Sequence, residues 1–510
     1  MDNNTDKTLF NLEVKELGIV RNAKINIKPF TIFFGKNNTG KTYLAYVIYG
    51  ICSPYKRLID VKLISPIDLK PISDFLRNFI ENVDSKEEKN IKKYISVEKE
   101  IDAVYKYSIS EKFINDVFNH DMKCGDIIFK LYNMPTKLAV NLYVDIVKNL
   151  DSSEEIIKKY FKNIGFDVSF TINIYSAEFN CHIGYTIDDG LITYVGVLLT
   201  EKAKDINFIT ATIKEIGIKH YIFWSIAEEY IKEKIAKNVI FIPASKSGIY
   251  LLRKPLFKRG AEETLGKKVK VKKEGDIGIA LPEPIIDFVK ATLIERPKIN
   301  EDFKDLVEFG EKHIVHGSLE YNPEIDEVFY KPEKIKAEIP PQIASALVVE
   351  SIPLLTFLKY GVINKESFVI LEEPEAHLHP DAQRNLVRLL IRLVNRGARV
   401  LLITHSPYVL QQINNCIMLY KLDKVEREEF FEEHGYTEDD VLNPDLVSAY
   451  LFELDKKGYS RVKPLEIDLE GIQYDAFYAT LMKLSKETRE LRRLMHEPRE
   501  GKKGYREVPQ

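Results

Sequence analysis

Cysteine is scarce: Cys52, Cys124, Cys181 and Cys416 are the only four in 510 residues, far apart and without a CxxC pair. That spacing excludes a disulfide framework or a cysteine zinc site and suits a reducing compartment. An excess of either charge is also missing. The 74 Lys and Arg nearly cancel the 77 Asp and Glu, leaving a formal net charge of -3. Such a balance does not announce a nucleic-acid binder, although it can conceal a local basic patch. No apolar run approaches the roughly 20 residues that span a bilayer. The opening "MDNNTDKTLF" is polar and unlike a signal peptide, so a cytoplasmic protein without a membrane segment is expected. What is present, 45% hydrophobic and 30% charged residues, is the make-up of a soluble globular chain. Its length predicts two or three lobes.

The stretch "TIFFGKNNTGKTYL" puts a glycine loop directly after an apolar run. Ile32, Phe33 and Phe34 read as a buried strand, and Tyr43 to Ile51 as an apolar helix. Between them Gly35, Gly40, Lys41 and Thr42 fit G-x-x-x-x-G-K-[ST]. In that setting the backbone N–H groups of Asn37, Asn38 and Thr39 and the helix start face an anion. Lys41 then reaches the β- and γ-phosphates, and Thr42 ligates Mg²⁺. A plain glycine turn with a solvated lysine would not need all of these positions in register.

Residues 10–34 alternate in short runs broken at Gly18 and Pro29, which predicts two or three antiparallel strands leading into the loop. From Pro66 to Phe161 the chain is charged and helical in period, and "ENVDSKEEKNIKKY" reads as a solvated helical face. Residues 167–199 return to strands, with "IDDG" at Ile187 to Gly190 as a hairpin turn. Residues 209–236 read as helix, and "NVIFIPASKSG" as a buried strand leaving into a polar loop. Residues 253–275 are basic and glycine-punctuated, the pattern of a flexible surface loop.

The strand "SFVIL" ends in Glu372, Glu373 and Pro374. Two carboxylates at a strand end complement a phosphate loop. Glu372 can hold Mg²⁺ through water, and Glu373 can orient and deprotonate an attacking water. "ARVLLITHSPYVL" is another buried strand, ending in Thr404, His405 and Ser406. Open α/β sheets bind ligands at such ends, where His405 can contact the γ-phosphate.

"GKNNTGKT", "FVILEEPEAHLHPDAQ" and "VLLITHSPYVL" together resemble the ABC-type ATPase heads of the AAA15 family, which belongs with the RecF, SMC and OLD-type ATPases. The resemblance covers residues 10–50 and 310–420 well and the middle poorly. It implies an α/β fold: an ABC-type P-loop ATPase head with an N-terminal antiparallel β-subdomain and an inserted helical or mixed lobe. Residues 1–65 and 301–425 become the two halves of the head. Residues 66–165 are then a helical insertion, 166–300 a mixed α/β region and 426–510 a C-terminal extension. The acidic pair of such heads maps to Glu372 and Glu373, the D-loop to "EAHLHP" and the switch histidine to His405. Glu372 stands where many relatives carry Asp.

ABC-type heads work as dimers, with ATP held between one phosphate loop and the partner's signature helix. "PPQIASALVVESIPLLTFL" occupies the signature's place without its glycines. Ala344, Ser345 and Ala346 would open that helix, with Ser345 facing the partner's γ-phosphate. OLD-type relatives fuse a metal-dependent nuclease after the head. Here about ninety residues follow the His405 strand and its helix, and "TEDDVLNPD" reads as a helix start or turn, so no nuclease is expected. The basic tail from Lys486 reads as disordered, or as a contact for nucleic acid or an acidic partner.

Three functions follow from the resemblance. The first is an ATP-driven sensor or assembly platform, a homo-oligomer of at least a head-to-head dimer that controls a separate effector in anti-phage defence. The second is a RecF/SMC-like repair or chromosome-associated ATPase on duplex DNA. The third, a transporter's cytosolic subunit, suits the interrupted middle poorly.

Overall fold

The structure, a computed structural model, describes residues 7–53, 61–63, 96–100, 105–131, 137–145, 167–175, 179–188, 191–200, 207–213, 231–264, 281–293, 298–474 and 476–496. Strands β1 (Phe10–Leu17) and β2 (Val20–Ile27) form an antiparallel hairpin. Strand β3 (Phe30–Gly35) leads through the glycine loop into helix α1 (Lys41–Cys52). There follow β4 (Val61–Leu63), β5 (Ser96–Glu100), β6 (Tyr105–Ile109), α2 (Glu111–Phe118) and β7 (Ile127–Leu131). Strands β8 (Lys137–Asp145), β9 (Asp167–Tyr175), β10 (Phe179–Asp188), β11 (Leu191–Thr200) and β12 (Asn207–Ile213) join β5 in a six-stranded antiparallel sheet.

The chain then re-enters the first sheet with β13 (Asn238–Ile242), followed by helices α3 (Lys246–Thr264), α4 (Glu283–Ala291) and α5 (Lys304–Gly310). A hairpin of β14 (Gly317–Asn322) and β15 (Glu327–Pro332) precedes α6 (Ala346–Lys359). Next come β16 (Ser367–Glu372), α7 (Pro380–Asn395), β17 (Arg399–Thr404), α8 (Pro407–Lys421) and α9 (Lys424–His434). Strands β18 (Val447–Leu454) and β19 (Ser460–Pro464) and the helix α10 (Ala476–His496) end the described chain.

The large sheet runs β13-β16-β17-β3-β18-β19-β2-β1-β7-β6-β4. From β13 to β18 neighbouring strands are parallel, and from β2 to β4 they are antiparallel. Burial explains the division. All six residues of β3 and the first five of β16 are buried, as parallel strands covered on both faces require. Phe33, Phe368, Ile370, Leu401 and Ile403 pack with Leu44, Val47 and Ile48 of α1. Their alternates Ile32, Val369, Leu371, Val400 and Leu402 pack on the other face with Ile352 of α6 and Leu386 and Leu390 of α7. By contrast, β7 alternates buried and half-buried positions.

Several expectations are corrected. Of the two or three antiparallel strands expected in 10–34, β1 and β2 are antiparallel, while β3, apolar on both faces, pairs in parallel with β17 and β18. Within 66–165, the expected helical lobe contains β5 to β8 and one short helix among the described residues. Segments such as "IIFKL" carry a period of two, not 3.6. "ENVDSKEEKNIKKY" lies outside the described residues. The strands of 167–199 are present, and Asp188 faces Leu191 across the expected hairpin. Of the helix expected at 209–236, the start is β12 and Ile231–Ile235 is a π-turn; residues 214–230 lie outside the described ones.

The basic segment from Arg253 is helical to Thr264, not a loop, and its remainder lies outside the described residues. Arg253 is buried there, donating to Glu327 and lying 3.9 Å over the Tyr250 ring. "TEDDVLNPD" forms two short turns around Asp440, which is fully buried. Its carboxylate accepts from Arg388 at 2.8 Å and Arg392 at 2.7 Å. Burial raises the Asp440 pKa, but these guanidinium hydrogen bonds outweigh it and hold the group ionised below the usual range. The basic tail is helical as far as His496. No described helix is long and apolar enough to cross a membrane.

Candidate nucleotide site

The sheet order brings the distant motifs together. β17 lies between β3 and β16, so the glycine loop, the carboxylate pair and the histidine all leave the same end of adjacent parallel strands. A cleft of about 560 Å³ opens there, lined by Asn37, Asn38, Thr39, Gly40, Lys41, Thr42, Glu372 and Glu373, with Ile19, Tyr43 and Ile403 at its sides.

The loop's glycines are needed sterically. Gly40 has φ 82°, and a Cβ there would stand 2.5 Å from Val20 Cγ2. At Gly35 a Cβ would stand 2.4 Å from the Phe452 backbone oxygen in β18. The loop closes on itself through Thr39 Oγ1, which donates to the Lys36 oxygen at 2.8 Å. The Lys41 ammonium donates to the oxygens of Gly35 (2.9 Å) and Lys36 (2.7 Å). Burial lowers its pKa, while the carboxylates of Glu373, Glu372 and Glu375 pull the other way.

Thr42, at the second position of α1, donates its hydroxyl to Glu372 Oε1. The other Glu372 oxygen accepts from the Ala244 N–H at 3.3 Å, just past β13. Glu373 leaves the strand with φ 44°, a left-handed conformation costly for a side chain of this type. Two backbone contacts hold it: its N–H donates to the Ile403 oxygen at 2.8 Å, and its oxygen accepts from Lys246 Nζ at 3.2 Å. Its carboxylate stands 3.3 Å from Nδ1 of the half-exposed His405.

Three neighbours receive no individual role from the sequence, although Glu375 opens "EAHLHP" and Glu350 lies in the stretch that forms α6. Lys246 and Glu350 are both buried, with Nζ 2.7 Å from Glu350 Oε2, close in distance but off the hydrogen-bond direction. Glu350 Oε1 accepts from the Ser247 hydroxyl at 2.5 Å. Glu375 is buried beneath the histidine, accepting from Thr404 Oγ1 at 2.5 Å and from the His405 N–H at 3.4 Å. Burial raises its pKa, and the Thr404 hydrogen bond only partly opposes this. A lysine or glutamate just beyond a buried parallel strand was the available cue, but its partners lie far away in sequence.

Ser345 is not among the residues that line the cleft. It caps the start of α6, exposed and with no side-chain cap hydrogen bond.

Parallel strands that deliver a glycine loop and a carboxylate pair to one edge make this a P-loop type α/β fold. The chain belongs to the AAA_15 family, described as an AAA ATPase domain, whose family model matches residues 8–410. A stretch of 110 residues is 29% identical to Protein ea59 of Escherichia phage lambda, 21% of this chain and 21% of that protein. The match therefore spans about a fifth of that relative's length. Among solved structures, the chain is similar to a Pyrococcus furiosus Smc head domain bound to the C-terminal domain of ScpA. Identity is 14%, coverage 94% of this chain and 98% of that one, and the TM-score 0.32. An SMC head domain from Thermotoga maritima gives 10% identity, 90% and 98% coverage and a TM-score of 0.30. Scores this low do not establish a shared arrangement.

Proposed function

We propose that this chain binds ATP with Mg²⁺, hydrolyses it, and uses the cycle to control a separate effector as a homodimeric sensor or platform in anti-phage defence. One observation carries the chemical part: the Thr42 hydroxyl meets Glu372 while Glu373 faces His405 at the mouth of one cleft. Thr42 and Glu372 supply two oxygen donors at the helix start. That number suits Mg²⁺, which takes one or two protein oxygens and completes its shell with phosphate and water. Among the described residues no cluster of three or more His, Cys, Asp or Glu could hold a metal unaided. Bound there, the ion would neutralise charge on the β- and γ-phosphate oxygens.

Lys41 and the loop N–H groups hold the phosphates, Glu373 takes the proton of the attacking water, and His405 holds that carboxylate's orientation. Ser345, exposed and not part of its own cleft's lining, is available to complete a partner's site. The six-stranded sheet shares no strand with the large one and supports the effector reading, because nucleotide chemistry does not require it.

Glu373→Gln keeps the shape and loses the base. It should bind ATP normally and hydrolyse it about 10²–10⁴-fold more slowly; turnover at the wild-type rate would discard the role. Co-purification with neighbouring-gene products, with and without ATP, tests the effector. A nucleotide-independent or empty result removes the platform reading and leaves the ATPase reading standing.

A further inference from the structure

Helix α10 carries an apolar stripe that no part of the described chain covers. Every residue from Met482 to Met495 is exposed, including Leu484 (53%), Leu491 (62%) and Met495 (79%). A helix of 21 residues, about 30 Å long, normally takes most of its stability from packing one apolar face. Among the described residues that face has no intramolecular partner over two heptads.

The spacing of the stripe indicates what covers it. Phe477, Leu481, Leu484, Thr488, Leu491 and Met495 follow one another at intervals of four, three, four, three and four residues. Exposed Met482 and Leu494 lie off this row, at b and g, while the sustained four-three spacing itself is the a/d pattern of a coiled coil. Leu484 and Leu491 occupy d positions, and Thr488, β-branched, occupies the central a position. Leucine at d with a β-branched residue at a is the two-stranded parallel pattern, which Thr488 meets and the outer a residues, Leu481 and Met495, do not.

The flanking charges agree. Glu487 falls at g and Arg492 at the following e, five residues on, the separation at which g of one helix meets e of its parallel partner. A second copy in parallel register therefore pairs Glu487 with Arg492 on both sides of the seam. An antiparallel copy sets g against g and e against e, and leaves these two residues apart.

We propose that α10 joins a second copy of this chain as a parallel two-stranded coiled coil, a dimer contact that needs no nucleotide. It is separate from any closure of the heads on ATP. Its effect would be to keep two heads at high local concentration, so that nucleotide-driven closure becomes an intramolecular step.

Sedimentation of the full nucleotide-free chain is the test. Wild type should sediment as a dimer, and Leu484→Glu with Leu491→Glu should dissociate it by at least tenfold in dimer affinity. Both positions are exposed, so ATP binding should be unchanged. Glu487→Arg and Arg492→Glu should each weaken the dimer several-fold, and together restore it. A nucleotide-free monomer at all concentrations would overturn the proposal, as would a leucine variant that dimerises like wild type. Failure of the charge swap to restore affinity would overturn the parallel register. A monomer that instead binds anionic vesicles through α10 would make a membrane surface the occupant and overturn the proposal as well.

Discussion

Lys246 and Glu350 form a buried ion pair that joins the loop after β13 to helix α6. The same Lys246 ammonium donates to the backbone oxygen of Glu373, whose φ of 44° is otherwise costly. Glu350 lies just over one turn beyond Ser345 on α6. The carboxylate that faces His405 and the exposed start of α6 thus share one anchor. A movement of α6 would reach Glu373 through it.

Removing one partner of this pair leaves the other charge buried and unpaired. Lys246→Met should cost about 3–5 kcal/mol in urea unfolding, the usual penalty for breaking a buried pair. Replacing both residues, Lys246→Met with Glu350→Leu, should recover much of that loss. A single-variant cost below about 1 kcal/mol, typical of a surface pair, would show that the two charges are solvated.

The phosphate loop separates binding from folding. Lys41→Ala should abolish nucleotide binding, read by fluorescent-nucleotide titration, while the unfolding midpoint stays close to wild type. Gly40→Ala should damage both, because the added methyl meets Val20 and the backbone needs φ 82°. Intact ATP affinity in a folded Lys41→Ala protein would remove the loop from the binding site.

Glu375 sets a pH dependence whose sign is fixed by burial. Its folded pKa lies above the ordinary carboxylate value of 4.5, so the folded state holds this proton more tightly than the unfolded state does. Stability from this group is present below that value and is lost as pH rises through the folded pKa. Glu375→Gln should therefore flatten the fall in stability on the alkaline side of pH 4.5, measured as melting temperature against pH. Parallel curves for the two proteins would mean that Glu375 titrates alike folded and unfolded.

Complementation tests the role of Ser345. Lys41→Ala and Ser345→Arg subunits should each be inactive alone, yet regain part of the ATPase rate when mixed. One of the two mixed sites then has an intact loop and an intact α6 start. A mixture no more active than its parts would confine the site to a single subunit.

The loop from Gly35 to Thr42 was legible because its geometry is local. Two glycines forced by close neighbours, a lysine and a hydroxyl at a helix start occupy eight consecutive positions. Glu372, Glu373 and His405 could be read for a related reason: each ends a short apolar strand, and strand ends are where parallel sheets hold ligands. The apolar helix before β16 was also visible, but it starts at Ala346 and not at Ala344, because Ala344 and Ser345 are extended and Ser345 stands at the N-cap.

Other features rested on contacts between residues far apart in the chain. Thr42 and Glu372 are 330 positions apart, and only the insertion of β17 between β3 and β16 sets their strands at the right separation. Arg253 looked like part of a mobile basic loop until Glu327, 74 residues away, gave its charge a buried partner. The strands of 96–145 read as helix in the sequence because charged residues blur a period of two that pairing with other strands makes plain. Backbone conformations that a few neighbouring residues impose are written in the sequence itself. Strand partners, buried ion pairs and the covering of apolar faces depend on which distant segments meet, and those the tertiary structure alone decides.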